Sequence, residues 1–171
     1  TEEFLHRLPK TDLHVHLDGS LRLSTILELA EERGVTLPAD TAEGLAESIS
    51  MGRECEDLTD YLRGFDVTLS VLQDERALYR AAYELAEDAA SENVRYMEVR
   101  YSPILHTQKG MKLTRILESV LEGLSDARDE FGIHCNVIVC GIRHIEPEQS
   151  LRLAELAVAY QGKGVVGFDL A

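Results

Sequence analysis

Between Leu13 and Leu17 every second residue is apolar, Leu13, Val15 and Leu17 alternating with other types, and this period of two predicts a strand. Helical spacing follows. Leu23 to Arg33 reads as a helix that stops before Gly34, and Asp57 to Leu72 and Arg76 to Ser91 read as two more. Val94 to Ser102 is predicted as a second strand, with Pro103 at its end. Leu113 to Phe131 has a strong helical period, and Cys135 to Ile142 reads as a third strand. Glu146 to Tyr160 is helical, with Pro147 in its first turn, and Val165 to Leu170 is a fourth, apolar strand.

Strands alternating with helices predict a parallel sheet covered by helices, either an open doubly wound sheet or part of a (β/α)8 barrel. The polar positions separate the two. Strict alternation puts Asp12, His14, His16 and Asp18 on one face of the first strand, and Leu13, Val15 and Leu17 on the other. The second strand repeats the division, with Glu98, Arg100 and Ser102 opposite Met97, Val99 and Tyr101. An open parallel sheet is normally apolar on both faces, whereas polar side chains on one face suit a barrel interior opening into a site. The expected fold class is therefore α/β, the N-terminal half of a TIM (β/α)8 barrel, comprising strands 1–4 with their helices. A full barrel takes about 250 residues and eight strands. The 171 residues here hold four, so residues 1–171 read as a single incomplete barrel domain truncated after strand 4. A self-contained half-barrel that dimerises is the other reading.

With 44% hydrophobic and 28% charged residues, the chain has the composition of a soluble globular protein. Its net charge of -14 opposes binding to nucleic acid and agrees better with a small neutral or cationic ligand. Three cysteines, Cys55, Cys135 and Cys140, form no CxxC pair and no disulfide framework, which suits a reducing compartment. No apolar run approaches the roughly 18 residues of a membrane span, and the first residues have no apolar signal core. A cytoplasmic protein without membrane contact is expected.

His14-Val15-His16 carries the clearest chemistry. Two imidazoles at i and i+2 of a strand project side by side, near enough to share one metal ion. Zinc accepts imidazole nitrogen at about 2.0–2.1 Å and takes three protein ligands with an open position in catalytic sites. A pair of hydrogen-bonded core histidines is the competing explanation. Flanking Asp12 and Asp18 weigh against it, because four polar groups on one buried face are costly unless something uses them. His144, just past the third strand, is the local candidate for a third ligand, although a loop position without that role accounts for it better. His6, His106 and His134, near the chain start, in a loop and at a strand start, receive no role.

The run from Leu8 to Leu21, LPKTDLHVHLDGSL, resembles the opening of the adenosine deaminase family. Leu37-Pro38, Thr41 to Leu45, Tyr61 to Asp66, Tyr96 to Pro103 and Val165 to Ala171 resemble family segments in the same order, over nearly the whole chain. The resemblance implies a single-zinc hydrolase converting adenosine, and deoxyadenosine, to inosine and ammonia. It implies that His14 and His16 are two zinc ligands, and that His16 and Asp18 meet the ribose 5′-hydroxyl. It also implies that Tyr61, Leu62 and Phe65 form the apolar wall of the substrate pocket, though Leu58, Leu62 and Phe65 recur at helical spacing and core packing explains them equally. Tyr61 stands where the family commonly has Phe. The family's third histidine, catalytic glutamate and final aspartate come from later strands, so the resemblance puts no catalytic acid here and implies the C-terminal half of the barrel as partner. Adenine and aminofutalosine-type deaminases are the close alternatives. Many adenine-specific members carry Glu where Asp18 stands, so Asp18 favours a nucleoside. A non-catalytic half-barrel that recruits a partner through its edges is the alternative of a different class.

Overall fold

A computed structural model describes residues 1–49 and 58–171, and the side chains of residues 1–49 and 64–171. Four parallel strands form one sheet in the order β1-β2-β3-β4, with β1 at Lys10–His16, β2 at Val94–Tyr101, β3 at His134–Gly141 and β4 at Val165–Leu170. Each strand lies beside its successor, which is the progressive order of a barrel wall. The described helices are α1 (Glu2–Arg7), α2 (Leu23–Arg33), α3 (Ala42–Ser48), α4 (Leu58–Val71), α5 (Glu75–Ser91), α6 (Leu113–Phe131) and α7 (Pro147–Ala159). A 3-10 turn, Pro103–His106, follows β2. The expected α/β fold, four strands with their helices from the first half of a (β/α)8 barrel, is the one observed.

Helix starts follow from local chemistry. The Thr41 hydroxyl accepts from Gly44 N–H at 3.1 Å to open α3, and the Asp74 carboxylate accepts from Ala77 N–H at 2.9 Å to open α5. Gly34 and Gly132 end α2 and α6 with φ of 64° and 71°, a left-handed conformation open to glycine at little cost. Sequence periodicity gives no sign of α1, whose residues are all exposed.

The core lies between the sheet and the helices. Met97, Val99 and Tyr101 of β2 and Val137 and Val139 of β3 are buried there with Leu29, Leu78, Ile116 and Leu117. The other face of the sheet carries most of its polar side chains, beside Ile138 and Cys140. Tyr96 donates its hydroxyl to Glu98 Oε1 at 2.7 Å, and Asn136 Nδ2 donates to the Tyr96 hydroxyl at 3.2 Å. Outer strands β1 and β4 leave apolar side chains uncovered, Leu13 at 57% exposure and Val166 at 52%, with Phe168 and Leu170 also exposed.

One expectation needs correction. Asp12 does not simply share a face with His14 and His16, because β1 contains an irregularity. Asp12 pairs with Met97 and Val15 with Val99, so three steps along β1 match two along β2. Asp12 is in register with a core residue, whereas His16 is in register with Arg100. The Asp12 carboxylate accepts from the His14 backbone N–H at 3.0 Å, so it serves the local backbone.

Candidate functional site

The candidate site on the polar face draws on three strands. β1 contributes His14 and His16, β2 contributes Arg100, and β4 contributes Asp169. Two hydrogen bonds fix the end of β1: Leu17 N–H donates to Arg100 O at 3.0 Å, and the Ser20 side-chain hydroxyl donates to His16 O at 2.5 Å. The chain then turns through Asp18 and Gly19 before α2.

The His14 and His16 ring centres are 5.4 Å apart, with planes inclined by 45°. Two imidazoles holding one zinc at about 2.0–2.1 Å in a tetrahedral arrangement have ring centres roughly 5 Å apart. The spacing thus fits a shared ion. Burial, then His14, then Arg100 hold the His16 pKa below the usual histidine value, favouring the neutral ring that offers a lone pair. The pair supplies two donors of the three or more that zinc needs. Among the described residues no group of three or more His, Cys, Asp or Glu could hold a metal. His144 is in an exposed turn and does not join the pair.

Asp18 is 4% exposed and lies beside this pair, its Oδ1 3.9 Å from His16 Nδ1. Burial pushes its pKa up to about 6, against the backbone N–H groups of Asp18 and Gly19, which pull it down. Its Oδ1 is buried without a hydrogen-bond partner. A buried acceptor left open in this way fits a donor brought by a ligand. Phe65 on α4 meets His16 edge-on, with ring centres 6.2 Å apart, so this helix approaches the site. Tyr61 and Leu62 lie on the same helix, and their side chains are outside those described.

Arg100 and Asp169 were not singled out as a pair by the sequence. Arg100 Nη2 donates to Asp169 Oδ2 at 2.6 Å, while Nη1 lies 2.8 Å from Nδ1 and 3.0 Å from Nε2 of His14. Their signal was parity alone: Arg100 sits in register with His16, and Asp169 with Cys140 of β3. His106, assigned to a loop, is fully buried in the 3-10 turn, its Nδ1 2.8 Å from Leu72 O. His6 lies in α1, and His134 begins β3 at the surface.

Residues 9–171 match the family model described as adenosine deaminase. The chain is 42% identical over 170 residues to adenosine deaminase of Enterococcus faecalis, an alignment covering 99% of this chain and 50% of that protein. An amidohydrolase from Burkholderia ambifaria, solved with bound Zn, superposes with a TM-score of 0.85 at 26% identity, over 99% of this chain and 45% of that one. Arabidopsis ADAL complexed with GMP superposes with a TM-score of 0.82 at 30% identity, over 99% of this chain and 51% of that one. The chain spans about half the length of the bacterial relative it matches.

Proposed function

Since the chain belongs to the adenosine deaminase family, we propose that it supplies the first part of a zinc site for hydrolytic deamination of adenosine, and of deoxyadenosine, to inosine and ammonia. The observation carrying this reading is the His14–His16 pair, two imidazoles 5.4 Å apart on the polar face of the sheet, with burial favouring the neutral ring of His16. His14 and His16 would hold the ion. When bound, zinc supplies a Lewis acid that activates water for attack on the purine C6.

The chain's own residues do the rest of what this half offers. Asp18 accepts the ribose 5′-hydroxyl through its unpartnered Oδ1, with His16 beside it. Phe65, with Tyr61 and Leu62 on the same helix, walls the purine side and excludes water from the reacting face. A nucleoside suits this arrangement better than a free base, because a base has no hydroxyl to pair with the buried carboxylate. The acid that protonates the ring and the remaining zinc ligands would come from the C-terminal half of the barrel. The uncovered apolar side chains of β1 and β4 are consistent with such a partner. Sparse cysteines suit a cytoplasmic setting.

Loss of adenosine ultraviolet absorbance tests the reading. The full-length protein with zinc should turn over adenosine, and chelation or His16→Ala should abolish it. The 171-residue chain alone should be inactive. Turnover by the isolated chain, or a full-length enzyme indifferent to chelation, would overturn the proposal.

A further inference from the structure

Tyr101 carries a hydroxyl that packing does not explain. Its ring ends β2 in the core between sheet and helices and is 1% exposed. Phenylalanine would fill that space equally well, yet the hydroxyl is buried with no hydrogen-bond partner. A buried polar group left in that state costs free energy, so one kept there needs a use.

Two neighbours define its surroundings. The His106 ring meets the Tyr101 ring edge-on, with centres 5.7 Å apart and planes inclined by 61°. His106 is itself held, its Nδ1 2.8 Å from Leu72 O. A carbonyl only accepts, so Nδ1 carries the hydrogen and the imidazole is a fixed wall for the phenol. Asp18 is the other neighbour. Leu17 N–H donates to Arg100 O at 3.0 Å, which brings the next residue of each segment, Asp18 and Tyr101, together. Burial, and then the Asp18 charge, hold the Tyr101 pKa well above its usual value, so the phenol keeps its proton.

Asp18 Oδ1 is also buried and without a partner. An ionised carboxylate only accepts, and a phenol can donate, so the two open groups are complementary. They do not bond directly, but one water accepting from the phenol and donating to the carboxylate satisfies both. We propose that Tyr101 is a positioning residue for Asp18, its hydroxyl holding the carboxylate, through one ordered water, in the orientation that receives the ribose 5′-hydroxyl. The inference rests on the reading of Asp18 as the sugar acceptor. A carboxylate oxygen has two lone-pair sites, so Oδ1 takes the water on one and the sugar hydroxyl on the other.

The test is the ratio of kcat/KM for adenosine to that for 5′-deoxyadenosine, which lacks the hydroxyl. It is measured on the full-length protein and on its Tyr101→Phe, Asp18→Asn and doubly substituted forms, with urea denaturation of each. Tyr101→Phe should lower the ratio about threefold to tenfold, the effect of losing one hydrogen bond that orients the acceptor. In the Asp18→Asn background it should lower the ratio no further, because the two residues act as a unit. A tyrosine that only supports the fold would change both substrates alike. An unchanged ratio in Tyr101→Phe, or an equal fall with and without Asp18, overturns the inference. So does a Tyr101→Phe protein that does not fold, since the hydroxyl is then a folding determinant. Should Asp18→Asn fail to fold, the Tyr101→Phe ratio decides alone. A folded Asp18→Asn protein with the parent's ratio overturns the reading of Asp18 itself, and so is distinguishable from failure of the Tyr101 inference.

Discussion

The Phe65 ring on α4 meets the His16 imidazole edge-on, at 6.2 Å between centres and 67° between planes. A β-carbon on Gly19 would come within 3.3 Å of the same ring, so the turn after β1 and the start of the helical layer are fitted to one another at the site. Removing the ring opens the apolar wall. Phe65→Ala should raise KM for adenosine about tenfold to a hundredfold, from roughly 1.5–3 kcal/mol of lost apolar contact, with a smaller change in kcat. Steady-state kinetics of the full-length protein read the split.

Asp18 should discriminate at the sugar rather than at the base. Its buried, unpartnered Oδ1 awaits a donor, and a hydrogen bond to a charged group is worth roughly 1.5–3 kcal/mol. Asp18→Asn should cut kcat/KM for adenosine about tenfold or more and leave 5′-deoxyadenosine, which lacks the hydroxyl, nearly unaffected. The ratio of the two substrates is the quantity to measure.

His106 makes the fold sensitive to acid. Burial lowers its pKa from 6.5 to about 4 in the folded chain, outweighing the bond to Leu72 O. Between those values the unfolded chain binds the proton and the folded chain does not, so stability rises with pH across the window. It is fully present above about pH 6.5 and is lost as pH falls towards 4, a difference of about 3 kcal/mol. Urea midpoints at a series of pH values should show that slope, and His106→Asn, which keeps a donor for Leu72 O, should flatten it.

The α5–α6 contact depends on one missing side chain. A β-carbon on Gly123 would run into the carbonyl oxygen of Tyr79 and lie 3.2 Å from the Ala82 β-carbon. Gly123→Ala should therefore destabilise the chain by about 1–3 kcal/mol, despite the better helix propensity of alanine, as overpacking does elsewhere. Urea denaturation measures it.

The strands and long helices were legible because each buries one face, and burial imposes a period on the sequence. β2, for example, alternates Met97, Val99 and Tyr101 inward with Tyr96, Glu98 and Arg100 on the polar side. α1 buries nothing and so left no such mark. The extra residue between Asp12 and Val15 was invisible too, since it shows only against the partner strand. The HxH motif made His14 and His16 conspicuous by local spacing. Arg100 and Asp169 are 69 residues apart and meet only when β2, β3 and β4 stand side by side, so nothing local announced their pairing.

X-ray absorption at the zinc edge of the loaded full-length protein tests most directly whether His14 and His16 grip one ion. The account predicts imidazole nitrogen scatterers at about 2.0–2.1 Å, with one fewer in His14→Ala and one fewer in His16→Ala. A zinc shell identical in the parent and both variants would contradict it.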